Sequence, residues 1–179
     1  SLEKEEMFKT QLRAILRASI YGNVQIMFPM ITKVEEVIKA KEYLEGVKQE
    51  LKAEKAFFDE NIKVGVMIET PAAVMLSGEL AREVDFFSIG TNDLTQFTLG
   101  MDRTNEAVVS HYDTKHPALL KMIRIVTNNV HLEGKTISVC GDLAADLSMT
   151  EFFVQIGVDE LSVAPDQVLG LRKKIREIQ

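Results

Sequence analysis

Three places in the chain put reactive or ligating side chains directly after a short apolar run. Val64–Ile68 is followed by Glu69-Thr70-Pro71, Phe86–Ile89 by Gly90-Thr91-Asn92-Asp93, and Thr136–Val139 by Cys140-Gly141-Asp142. Glu69 and Asp93, with Asn92 beside them and no His at any of these ends, make an oxygen-only donor set. Mg²⁺ is usually held that way, by one or two carboxylates with water and substrate phosphate completing the octahedron. Arg103, further along the same segment, could reach back as a planar fork for phosphate or carboxylate. Cys140, the single cysteine, could act as nucleophile or proton donor. Plainer readings stand beside these. Asn92 or Asp93 could cap a helix running to Leu99, Glu69 could be a charge at a helix N-terminus, Arg103 a surface ion pair, and Cys140 a small buried hydrophobe. Two carboxylates at one rim favour the metal reading of the pair. His111, His116 and His131 have no metal-ligand spacing and read as structural or solvent-exposed.

The elements that must position these residues alternate along the chain. Residues 3–20 read as a helix with Phe8, Leu12, Ile15 and Leu16 on one face, stopped by Gly22. Val24–Met30 is an apolar strand candidate. Thr32 is expected to cap the next helix, with Glu35 in the capping-box position, and that helix runs to about Ala56. Strands follow at Val64–Ile68, Phe86–Ile89, Thr136–Val139 and Leu161–Val163, with helices opening at Pro71, Pro117 and Thr150 and a helical tail over 167–178. Apolar runs of this kind suggest strands buried on both faces, as in a parallel sheet covered by helices. The pattern is α/β, one helix and then five βα units, and fits either a doubly wound sheet or part of a (β/α)8 barrel of the TIM type. In both, chemistry sits beyond the carboxyl ends of the strands, which is where Glu69, Asn92, Asp93 and Cys140 fall. No Gly-x-Gly-x-x-Gly follows the first strand, against dinucleotide binding.

Composition narrows the function classes. A formal net charge of −6 and a pI near 5.2 argue against nucleic acid or an anionic membrane as partner. No apolar run approaches the roughly 18 residues of a membrane span. One cysteine precludes an internal disulfide and fits a reducing cytoplasm. The chain opens Ser1-Leu2 without an initiator Met, consistent with a piece of a longer protein, and residues 1–179 read as a single partial domain.

The segments "QLRAILRAS", "VQIMFPMI", "VGVMIETPAA", "VDFFSIGTNDLTQFTLGMDR" and "SVCGDLAAD" resemble, in order, the carboxyl-terminal barrel of the Enzyme I family. These are the phosphoenolpyruvate–protein phosphotransferases of the bacterial sugar phosphotransferase system. The Gly90-Thr91-Asn92-Asp93-Leu94-Thr95-Gln96 run is shared with pyruvate phosphate dikinase and phosphoenolpyruvate synthase; the continuation to Gly100-Met101-Asp102-Arg103 looks most like Enzyme I. The resemblance implies that Glu69 and Asp93 ligate Mg²⁺, that Asn92, Asp93 and Arg103 bind phosphoenolpyruvate, and that Cys140 protonates the enolate of pyruvate. It also implies an amino-terminal phosphohistidine domain and a phosphocarrier protein as partners.

The departures set further expectations. Only the last five βα units of an eight-stranded barrel are matched, and the two arginines that the family carries on its first strands are absent. Asp142 stands where the family usually has Glu. No histidine here has the context of the phosphorylated one. The piece alone is therefore expected to be inactive and to form a homo-oligomer, through edge strands at Val24–Phe28 and Leu161–Val163 and through Met27, Met67 and Phe87 facing inward. Alternatives are a fragment of a dikinase or synthase, a non-catalytic dimerisation module, and a Mg²⁺-dependent aldolase that would not need Cys140.

Overall fold

The structure is a computed structural model that describes residues 4–178. In chain order the elements are α1 (Glu5–Ala18), β1 (Gln25–Phe28), α2 (Val34–Ala53), β2 (Lys63–Ile68), α3 (Pro71–Met75), α4 (Ser77–Glu83), β3 (Phe86–Gly90), α5 (Thr91–Leu99), α6 (Pro117–Leu132), β4 (Thr136–Cys140), α7 (Asp142–Ala145), α8 (Thr150–Ile156), β5 (Glu160–Leu161) and α9 (Val168–Glu177). The first helix was expected from residue 3, and positions 1–3 lie outside the described residues. The five strands are all parallel and adjacent in the order β1-β2-β3-β4-β5. That sequential order is the barrel's; a doubly wound sheet reverses its strand order partway.

The two faces of the sheet differ in residue type, and the expectation of strands buried on both sides holds for β3 and most of β2 but not for β1 and β4, whose alternate residues are exposed or half-buried. Val64, Val66 and Ile68 of β2, Phe87 and Ile89 of β3, and Ile137 and Val139 of β4 are all buried. Against them lie α1, α2, α4, α6, α8 and α9, each packed on the next in chain order as one layer. The opposite face carries Gly65 and Met67, Phe86, Ser88 and Gly90, and Thr136, Ser138 and Cys140. Successive strand residues point to opposite faces, and the register aligns Met67 with Ser88, Ser88 with Ser138, and Gly90 with Cys140. Phe87, expected on the inner face, is fully buried in the helical core, whereas Met27 is 37% exposed on the open side.

Local chemistry explains the remaining differences. The capping carboxylate of α2 is Glu36, not Glu35: it accepts from the Thr32 N–H at 2.7 Å and the Lys33 N–H at 3.2 Å, and Lys33 rather than Thr32 is the cap. The helix opened by Pro71 breaks at Leu76. There the buried Ser77 hydroxyl donates to the Val74 carbonyl at 2.7 Å and competes with the helix ladder. The last strand covers only Glu160–Leu161, although the Ser162 N–H still donates to Val139 O at 2.9 Å.

A repeated device fixes register on the amino side. Val84-Asp85 precedes β3 and Val158-Asp159 precedes β5. The Asp85 carboxylate accepts from Val64 N–H and the Asp159 carboxylate from Ile137 N–H, each at 2.8 Å. Each aspartate's own N–H returns a bond to the same residue's carbonyl, at 2.7 and 3.1 Å.

Candidate active site

The carboxyl ends of β2, β3 and β4 converge on one rim. Glu69 follows β2 directly and is 3% exposed. Its Oε1 accepts the Met30 N–H at 2.7 Å. Met30 reaches that position with φ 56°, a left-handed conformation uncommon for a bulky residue, so the donor is placed at the cost of backbone strain. The other oxygen, Oε2, faces β3: a Cβ added at Gly90 would lie 3.0 Å from it and 2.9 Å from Met67 Sδ. Glycine at 90 thus leaves room for the carboxylate. The Asp93 carboxylate lies close enough for its charge to act on Glu69. Burial first, and the Asp93 charge after it, push the Glu69 carboxyl above its ordinary value against the opposing Met30 bond.

Asn92 and Asp93 are not helix caps. Gly90 is the cap residue of α5 and no side chain caps it, so Asn92 and Asp93 lie inside the first turn. Asn92 Oδ1 instead accepts the Asp142 N–H at 3.0 Å, which leaves the amide NH₂ to donate elsewhere. Thr91 Oγ1 donates to the Cys140 carbonyl at 2.8 Å, so the β3–α5 and β4–α7 turns are stitched together. Gly141, at φ 90°, allows that approach: a Cβ there would sit 2.5 Å from Thr91 Oγ1 and 2.8 Å from Asn92 Oδ1. Arg103 lies near the same carboxylate, its guanidinium 3.8 Å from Asp93 Oδ1.

Cys140 ends β4 beside Gly90. Its thiol donates to the Ile89 carbonyl at 3.4 Å and accepts from Ser88 Oγ at 3.8 Å. Burial pushes the thiol up, opposed by the Ser88 bond, and the Glu69 and Asp93 charges push in the same direction as burial. The group is therefore a thiol rather than a thiolate near neutrality, suited to giving up a proton and not to nucleophilic attack.

The rim can be tested for a divalent cation on its donors. Glu69 and Asp93 offer carboxylate oxygens and no nitrogen or sulfur. No group of three or more His, Cys, Asp or Glu able to hold a metal occurs among the described residues. A two-carboxylate set that leaves positions for water and phosphate oxygen suits Mg²⁺ rather than an ion needing a complete protein cage. The like charges of Glu69 and Asp93 would be relieved by such a cation.

All five residues singled out by sequence lie at this end of the sheet. The three histidines make other contacts: His111 is in an exposed turn, His116 Nδ1 caps α6 by accepting from Ala118 N–H at 3.2 Å, and His131 contacts Asp159 at 3.1 Å. Sequence reasoning missed Ser88, the Met30 N–H and Tyr112, whose hydroxyl donates to the Asn92 carbonyl at 2.7 Å. Ser88 could have been found from the strand period of two, counting back from Gly90. Nothing in the sequence signals the other two. A cavity of about 270 Å³ opens at the opposite, amino end, lined by Lys63, Asp85, Thr136, Ser138 and Glu160 among others, away from this chemistry.

The chain is 47% identical over 178 residues to a phosphoenolpyruvate-protein phosphotransferase of Haemophilus influenzae and 45% identical over 177 residues to one of Priestia megaterium. Each match covers 99% of this chain and 31% of the relative, so the chain spans under a third of those proteins. Among solved structures, a citrate lyase from Burkholderia xenovorans superposes with a TM-score of 0.71 at 19% identity, covering 93% of this chain and 53% of that one. A malate synthase from Haloferax volcanii gives 0.68 at 18% identity, covering 93% and 48%. At such identities the likeness is one of fold, that of the TIM barrel. The family model described as PEP-utilising enzyme, PEP-binding domain matches residues 1–179. With that match running the whole length of the sequence, the chain belongs to the family so described.

Proposed function

We propose that the chain is the substrate-binding part of a phosphoenolpyruvate–protein phosphotransferase. The observation that carries the reading is the convergence of Cys140 on the Glu69–Asp93 carboxylates, where burial and like charge keep the thiol protonated. Glu69 and Asp93 would hold Mg²⁺, which when bound supplies positive charge to neutralise the phosphate and the departing enolate oxygen. The Asn92 NH₂, Asp93 and the Arg103 guanidinium bind and orient phosphoenolpyruvate. Phosphoryl transfer needs positioning and charge more than covalent help. The P–O bond to the enol oxygen breaks, a P–N bond forms to a histidine of another domain, and the electron pair of the broken bond stays on the enolate. Cys140 then delivers its S–H proton to C3, yielding the pyruvate methyl group and leaving a thiolate to be reprotonated. Ser88 holds the sulfur by donating to it.

The acid role is tested by Cys140→Ala in the full-length protein. Phosphoenolpyruvate should still bind, and pyruvate formation should slow by about 10²–10⁴-fold, the usual worth of a positioned acid. Weakened binding with unaltered turnover of bound substrate would refute it.

The partners follow from the same reading: an amino-terminal phosphohistidine domain, a phosphocarrier protein beyond it, and a cytoplasmic setting. No helix among the described residues is long and apolar enough to cross a membrane. By itself the 179-residue chain should transfer no phosphate. With β1 and β5 as free sheet edges and Met27 open to solvent, it should associate with a second copy. Scattering that gives a monomer mass would contradict the association.

A further inference from the structure

Tyr112 sits on the connection between α5 and α6, a stretch of irregular chain over 100–116 that also carries Arg103. Connections of this length with little regular structure usually serve a function. Gly100 ends α5 in the left-handed conformation at φ 63°. The chain then passes through side-chain-stabilised turns, with Asp102 accepting from the Thr104 N–H at 2.9 Å and Asn105 from the Ala107 N–H at 3.0 Å. None of those bonds ties the connection to the rim.

Two contacts do. The Arg103 N–H donates to Gln96 Oε1 at 3.2 Å, and the Tyr112 hydroxyl donates to the Asn92 carbonyl at 2.7 Å. Both anchor points are on α5, one turn apart, so the segment carrying Arg103 is held between them. The charges of Arg103, Asp142 and Asp93 act on the phenol, whose ionisation burial first of all opposes. Tyr112 is thus partly buried among the side chains that line the rim. It brings no charge to compete with Arg103 for an anion, and the carbonyl it engages belongs to Asn92, whose own amide is already fixed on the Asp142 N–H.

We propose that Tyr112 is a positioning residue for substrate: its phenol fixes Asn92 from the backbone side and holds the Arg103 segment over the same rim. The inference rests on the reading of Asn92 and Arg103 as phosphoenolpyruvate contacts. The Tyr112 hydroxyl bonds neither a carboxylate of the metal ligands nor the thiol, so its loss bears on substrate affinity and not on the metal donors. A bond that merely stapled a surface loop would influence loop order and stability without distinguishing one ligand from the other.

The test is Tyr112→Phe in the full-length protein, a change that keeps the ring and removes one hydroxyl. Calorimetric titrations with Mn²⁺ alone, and with phosphoenolpyruvate in the presence of Mg²⁺, are compared with wild type, alongside thermal unfolding. The phosphoenolpyruvate dissociation constant should rise about fivefold, the value of one ordinary hydrogen bond. Mn²⁺ affinity and the unfolding midpoint should stay at wild-type values, and amide exchange over 100–116 should quicken. Equal phosphoenolpyruvate affinity in the two proteins overturns the proposal. So does a parallel loss of Mn²⁺ affinity, phosphoenolpyruvate affinity and unfolding midpoint, which would make the bond merely structural. A wild-type protein that binds no phosphoenolpyruvate overturns the site reading itself, and the substrate role of Tyr112 falls with it.

Discussion

Gly141→Ala tests whether the rim is held together as described. At Gly141 the backbone has φ 90° and ψ −175°, a region essentially reserved for glycine. Placing alanine there costs about 1–3 kcal/mol in conformation alone. The new Cβ would also lie 2.5 Å from Thr91 Oγ1 and 2.8 Å from Asn92 Oδ1. Neither atom can withdraw freely, because Thr91 Oγ1 is bonded to the Cys140 carbonyl and Asn92 Oδ1 to the Asp142 N–H. Overpacking of this kind adds about 1–3 kcal/mol. The sum, about 2–6 kcal/mol, is a large share of the roughly 5–15 kcal/mol that holds a typical domain folded. Gly100→Ala is the control: φ is 63° there too, but nothing lies within 4 Å of the added methyl, so only a conformational cost of about 1–2 kcal/mol remains. Urea unfolding with linear extrapolation measures both. If Gly141→Ala costs no more than Gly100→Ala, the close packing of the two turns is wrong.

Other consequences follow from the titrating and register-setting groups. Because the folded state raises the Glu69 carboxyl, its contribution to stability is whole below the unfolded-state pKa and is lost as pH rises through the folded value. Metal-free Glu69→Gln should therefore be more stable than wild type near neutral pH and lack that decline; parallel pH–stability curves would refute the burial argument. Cys140, raised by burial and two carboxylates, should react with iodoacetamide at pH 8 more slowly than glutathione does, and rapid labelling at pH 7 would exclude a protonated thiol. Asp85→Ala and Asp159→Ala each strand a strand N–H that a carboxylate now satisfies. Each should cost about 1.5–3 kcal/mol, nearly additively since they serve different strand pairs. A cost within experimental error for either would show that the repeat carries no weight.

The order of elements was legible because each apolar run ends in glycine, proline or small polar residues, and that punctuation survives folding. The faces were not. Val64–Ile68 is apolar at every position, so it reads as two-sided, yet Gly65 and Met67 turn away from the helices while Val64, Val66 and Ile68 enter the core. Residue type does not separate a methionine facing a core from one facing an open side. Cap positions slipped by a residue at α2 because Thr32, Lys33 and Glu36 form one network in which the carboxylate rather than the hydroxyl is the acceptor. Glu69, Asn92, Asp93 and Cys140 could be placed at one rim from the sequence because the ends of parallel strands are a fixed place to look. The supports for Glu69 and Asn92 were hidden, since Met30 and Tyr112 reach them through loop geometry that no local pattern encodes.

The inner face explains why the site can exist at all. Burying Glu69 beside Asp93, and a thiol near both, costs stability, as the upward shifts of Glu69 and Cys140 record. Holding Met30 at φ 56° adds backbone strain. These burdens fall on strand ends and inward positions, where Gly90, Ser88 and Cys140 replace the branched aliphatics of the outward ones. Glycine at 90 leaves room there, since a Cβ would press on the Glu69 carboxylate and on Met67 Sδ. Stability is drawn from the other face, where Val66, Ile68, Phe87, Ile89 and Val139 are completely buried against the helices. Each strand thus serves two ends with alternate residues, and a one-residue slip of register would exchange them. The Asp85 and Asp159 carboxylates, clamped on the first rungs of β2–β3 and β4–β5, oppose that slip. They act at the far end of the sheet from Cys140, where β4 begins, and so help keep its alternate residues on their proper faces.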